Sequence, residues 1–122
     1  MKYAGIQEMF NAVYLGLASQ GFNQSMDEEK VCVMRGVGGR KCAVGWLIPD
    51  SMYTPRMDFV STTLESILQE VAGAITPENM SVEMAVEFLD KMIDLHDANC
   101  SPSEMKAAFK DYANCYGLTT PE

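Results

Sequence analysis

Four stretches of this chain repeat apolar residues at helical spacing, and those stripes dictate most of what it can fold into. Ile6, Met9, Phe10, Val13, Tyr14 and Leu17 lie on one face of a helix that Gly21 ends. Val82, Ala85, Val86, Leu89, Met92, Ile93 and His96 share a stripe on a helix from about Ser81 to Ala98. Ser101-Pro102-Ser103-Glu104 forms a capping box with proline at the first helical position, where its missing N–H costs nothing. The helix it opens carries Met105, Ala108, Phe109, Tyr112, Ala113 and Tyr116, and Gly117 closes it. A further helix starts at the Thr62-Thr63-Leu64-Glu65 box, buries Leu64, Ile67, Leu68 and Val71, and stops at Gly73. Thr76-Pro77 is a second cap signal. Each stripe has to be covered, and the simplest cover is another helix.

One segment breaks this period. After the polar loop Phe22–Lys30, Val31–Met34 is short, apolar and β-branched, as a strand is. Gly36, Gly38 and Gly39 supply a tight turn, and Arg40–Cys42 pairs back as a second short strand. A two-stranded ribbon is barely stable alone, so it lies against the helices. Ala43–Ile48 makes one or two helical turns before Pro49, and Asp50–Arg56 is a surface loop anchored by Tyr53 and Pro55. The expected fold is mainly α (α+β), with four to five helices and one small two-stranded antiparallel hairpin. It forms a single domain over residues 1–118, with 119–122 as a frayed tail.

At 122 residues the chain can bury a core without metal or disulfide staples. It holds no apolar run long enough to span a membrane, and its start, MKYAGIQEMF, lacks a signal-peptide core. With no such signal, Cys32, Cys42, Cys100 and Cys115 read as reduced thiols of a cytosolic protein. The net charge of −8 argues against binding nucleic-acid backbones and fits a partner with a basic surface.

Cys42-Ala43-Val44-Gly45-Trp46-Leu47-Ile48-Pro49-Asp50, followed by Tyr53, Pro55 and Met57-Asp58, resembles a family of short uncharacterised proteins of tailed phages and prophages. That family's pattern has a glycine-containing hairpin, then Cys-Ala-Ile-Gly, a small residue and Leu-Ile-Pro-Asp. It also resembles this chain in a first helix like Ile6–Gln20, in a helix ending His96-Asp97, and in the step Tyr116-Gly117-Leu118. Trp46 stands where the pattern has a small residue, and Phe59 where it has glycine. No activity is assigned to the family. The resemblance implies a phage-type accessory protein at work in the cytoplasm of a bacterial host.

Several constellations could carry function. Glu83, Glu87, Asp90, Asp94 and Asp97 line one side of the Ser81–Ala98 helix, away from its apolar stripe. Like charges at i, i+4 oppose the helix slightly, and such a strip could dock on a basic host protein or simply be a solvated face. Lys30, Arg35, Arg40 and Lys41 surround the glycine turn. They could hold an anion through backbone N–H groups, or they could keep a ribbon edge soluble. Cys42 at a helical N-terminus, beside Arg40 and Lys41, could be a thiolate nucleophile with His96 as its base and Asp97 orienting it. A buried cysteine and a hydrogen-bonded helix-end histidine account for the same residues. Cys32, Cys42, His96 and Cys100 could make a zinc site, although their spacing is not that of a zinc knuckle. The leading expectation is a non-enzymatic binding protein without cofactor. It acts on a host protein through the acidic helix or through Arg35 and Arg40, and a small Cys42–His96 thiol hydrolase is the alternative.

Overall fold

The computed structural model describes residues 3, 5–26, 36–48, 51, 53, 71–76, 80–98 and 101–121. Helix accounts for 65% of these residues, which makes the protein mainly α. In chain order, α1 spans Ile6–Ser19. Residues 71–75 are the described part of α2. Helix α3 spans Val82–Asp97 and α4 spans Pro102–Cys115. The Thr62–Glu65 capping box lies outside the described residues.

Helix α1 buries Met9, Phe10, Val13, Tyr14 and Leu17, the face its spacing predicts. Its end closes on Gly21 at φ 68°, with Phe22 N–H donating to Leu17 O at 2.8 Å and Gly21 N–H to Ala18 O at 3.0 Å. This double return satisfies carbonyls that an open helix end would leave bare. Phe22, placed in a polar loop by sequence, is instead a buried cap whose ring meets Tyr14 edge-on at 5.1 Å. The left-handed return swings that ring back onto the helix.

The serine cap expected for α4 closes, and α3 carries a serine cap that its spacing does not mark. Ser81 Oγ accepts from Met84 N–H at 3.2 Å, and Ser101 Oγ from Glu104 N–H at 3.4 Å. Helix α3 buries Ala85, Phe88, Leu89, Met92 and His96. The seam is therefore rotated from the expected stripe: Val82 stays 45% exposed, while Phe88 turns in to meet Tyr112 of α4 at 6.2 Å. Helix α4 buries Met105, Phe109, Tyr112 and Ala113, and leaves Tyr116 exposed. Gly117, at φ 68°, lets Leu118 N–H return to Ala113 O at 2.8 Å.

Gly73 does not stop α2, which continues through Ile75. Burial of Val71, Ala72 and Ile75 outweighs the ~1 kcal/mol that glycine costs inside a helix. The residues that the Thr76-Pro77 cap signal would serve, 77–79, lie outside the described ones, and Thr76 itself closes α2. Its N–H and hydroxyl both return to Ala72 O.

No strand occurs among the described residues. The expected first arm, Val31–Met34, lies outside them. The glycine turn itself is present. Gly38 and Gly39 take φ 75° and 76°, and Gly36 N–H donates to Arg40 O at 2.8 Å. Gly36 is needed for another reason, because a Cβ there would strike the Met26 backbone and Ser25 Oγ. The following residue, Lys41, is paired by a side chain: its N–H donates to Gln20 Oε1 at 2.9 Å and its O accepts from Gln20 Nε2 at 2.8 Å.

The apolar run after Cys42 forms a tight helical turn at Val44–Trp46, with Ala43, Val44, Leu47 and Ile48 buried. It packs against both α1 and α3. Trp46 lies over Gly16 of α1, and any side chain at residue 16 would enter the indole ring. Lys41 Nζ sits over that ring, 4.8 Å from its center. Aromatic rings join the layers, from Tyr14 through Phe10 to Tyr112 and then Tyr116. Thr119, beyond α4, is tied to α1: its N–H donates to Gln7 Oε1 and its O accepts from Gln7 Nε2, each at 2.9 Å. No described helix is long and apolar enough to cross a membrane.

Candidate functional site

The chemistry-bearing residues fall into two groups along α3, which share Asp97. The first is at its C-terminal end. His96 is fully buried. Its Nε2 accepts from Ser25 N–H at 3.0 Å, and its Nδ1 lies 2.6 Å from Asp97 Oδ1. An amide can only donate, so Nε2 carries no proton in this arrangement and Nδ1–H faces the carboxylate. Gln24 Nε2 donates to His96 O at 3.1 Å and Asp97 O at 3.2 Å, which covers carbonyls of the last turn. Ser25 Oγ reaches Arg40 O at 3.2 Å. The segment after α1 is thus sewn to α3 on one side and to the glycine turn on the other.

Adjacent residues on a helix diverge by ~100°, which argues against a His96–Asp97 pair. At the final turn the Asp97 side chain nonetheless reaches back to the ring. Both ring nitrogens of His96 therefore hold partners other than Cys42. The lone pair that a thiol hydrolase would need is spent on a backbone amide. Cys42 is buried, and its Sγ accepts from Gly45 N–H at 3.3 Å, as a residue opening a helical turn does. Of the alternative zinc set, Cys32 and Cys100 lie outside the described residues. Among the described residues no three of His, Cys, Asp and Glu converge as metal ligands. Arg35 also lies outside them, and Arg40 is exposed.

The second group is the acidic face. Glu83, Glu87, Asp90, Asp94 and Asp97 are all exposed. On an ideal helix at ~100° per residue they fall within one narrow sector. Met84, Lys91 and Leu95 fall in the next sector, between that strip and the buried seam, and Phe88 joins this sector to the seam. This second stripe was in the sequence, at i, i+4, i+7 and i+11, but Lys91 within it hid its apolar character.

Across from it stands α4. Two adjoining recesses of about 340 and 690 Å³, both open to solvent, run between the helices and share Lys91, Tyr112 and Tyr116. The smaller is lined by Met84, Phe88 and Tyr112, with Glu87, Asp90 and Asp94 along its lip. Met84 is 58% and Tyr116 62% exposed. Tyr116 stacks on Tyr112 at 4.4 Å between ring centers. Burial and the neighbouring Tyr116 push the Tyr112 hydroxyl up to about 12. It is therefore a neutral donor at physiological pH. The groove offers aromatic faces, a flexible thioether and a row of anions, with the Lys91 ammonium and the Cys115 thiol also in its lining.

Comparison of the chain with protein-family models, curated proteins and solved structures finds no match.

Proposed function

We propose that this is a non-enzymatic binding protein that uses the acidic strip of α3 to dock on a partner protein with a basic surface and modulate it. The observation that carries the reading is the exposure of all five strip carboxylates along a helix whose opposite side is buried. Crowding anions at i, i+4 costs helix stability. A basic partner would turn that cost into attraction, by steering encounter and fixing register. His96, with both ring nitrogens engaged, supports the binding reading over the thiol hydrolase.

The resemblance of the Cys42–Asp50 core to tailed-phage and prophage proteins gives the proposed setting: an accessory protein in the cytoplasm of a bacterial host. Its partner there would be a defence or transcription protein. The basic turn at Arg35 and Arg40, carried on the expected hairpin, is a secondary contact in this reading.

The test is capture from bacterial lysate by immobilised protein, compared with the Asp90→Lys/Asp94→Lys variant. The expected outcome is a partner held at low salt, released as salt rises, and lost from the variant, whose melting temperature stays nearly unchanged. Identical captured proteins with and without the reversals would remove the acidic strip as the docking surface.

A further inference from the structure

The recess between α3 and α4 is an apolar surface with no described element covering it. We propose that it is the seat of a basic amphipathic helix of a partner protein. That helix lays an apolar side chain on the exposed Met84 and Tyr116, above the buried Phe88 and Tyr112, and its lysines or arginines on Glu87, Asp90 and Asp94. The inference rests on the reading of α3 as a docking strip and adds the form of what docks.

Three observations lead to this occupant. The first is charge. Glu87, Asp90 and Asp94 line the smaller recess with the exposed Met84 and one cation, Lys91, so the carboxylates outnumber the ammonium and favour a ligand that is both apolar and cationic. A second copy of this chain, at net charge −8, would set anion against anion on the same face.

The second is shape. Small-molecule sites bury most of their ligand, whereas this trough is open along its length. It is bounded by two packed helices, and a third helix fills such a groove with ridges against grooves. No sheet edge exists among the described residues to which an extended peptide could add.

The third is chemistry. Met84 adapts to varied apolar shapes, and Tyr116 presents an aromatic face on which a cation or an apolar side chain can rest. Tyrosine is also among the residues that most often dominate binding energy at interfaces.

The experiment uses the full chain and fluorescein-labelled peptides of about 20 residues, long enough to be helical when bound. One is a lysine–leucine amphipathic helix. One is its scrambled isomer of identical charge. One carries glutamate in place of lysine. Anisotropy should show the amphipathic peptide binding at least about tenfold more tightly than the scrambled one, with the glutamate version not binding. Met84→Ala/Tyr116→Ala should erase most of that preference and leave the circular dichroism spectrum unchanged, since both side chains are exposed.

Equal binding of amphipathic and scrambled peptides would overturn the helix seat while leaving the acidic strip standing. Peptide binding indifferent to Asp90→Lys/Asp94→Lys would instead sink the docking strip itself. Failure of every peptide to bind overturns the helix seat. So does sedimentation showing a dimer that Met84→Ala/Tyr116→Ala dissociates, because the occupant would then be a second copy.

Discussion

Gly16 and Trp46 show how one position can be decided by another thirty residues away in sequence. In the interior of α1 a glycine costs stability relative to alanine. Here it is retained because the indole of Trp46 occupies the space a Cβ would take. Gly16→Ala should therefore destabilise the protein by about 1–3 kcal/mol, the usual cost of overpacking, despite its better helix propensity. Urea denaturation of Gly16→Ala, Trp46→Leu and the double variant checks this. The double variant should cost less than the sum of the singles, and simple additivity would mean that the two residues do not press on each other. His96 makes the same point for a polar residue. One of its ring nitrogens is held by the neighbouring Asp97, but the other accepts from Ser25 N–H, a group that no spacing rule connects to it.

Elements meet chiefly through aromatic rings, and Tyr112 is the joint. It stacks near Phe10 of α1, meets Phe88 of α3 edge-on and carries Tyr116 outward along α4. Its hydroxyl, pushed up to about 12 by burial and by Tyr116, holds its proton in the folded state past the point where an unfolded tyrosine loses it near pH 10. Between those values the folded state binds more protons than the unfolded one, so stability falls as pH rises. Below pH 10 the full contribution is present. Urea midpoints on both sides of pH 10 should drop on the alkaline side, and Tyr112→Phe should flatten part of the drop. Tyr3, raised by its own burial, supplies another part in the same direction. A drop equal in wild type and Tyr112→Phe would contradict the assignment.

At the scale of the whole molecule, charge is laid out against stability. Seventeen Asp and Glu face nine Lys and Arg, and five of the carboxylates share one exposed strip. Self-repulsion of this kind is screened by salt, within about 10 Å at 0.1 M. The melting temperature should therefore rise with moderate salt in the absence of any partner. Asp90→Asn/Asp94→Asn should raise it at low salt and shrink the salt response, at a few tenths of a kcal/mol per repulsive pair removed. A salt response unchanged by those substitutions would place the repulsion elsewhere on the surface.

The sequence by itself determined α1, α3 and α4, the serine cap of α4, the glycine ends of α1 and α4, and the wet strip of anions. Each of these depends on residues within a turn or two of one another. It also placed the tight turn after Cys42, because a following proline limits how far a helix can run. What it could not determine were the features made by residues distant along the chain. The rotation of α3 that buries Phe88 and leaves Val82 out depends on Tyr112. The continuation of α2 through Gly73 depends on what buries Ile75. The pairing of Lys41 with the Gln20 side chain, the occupied lone pair of His96 and the groove beside the acidic strip exist only once helices are side by side. Local spacing sets which face of a helix is apolar, but packing alone chooses which part of that face is buried and which is left open to receive something else.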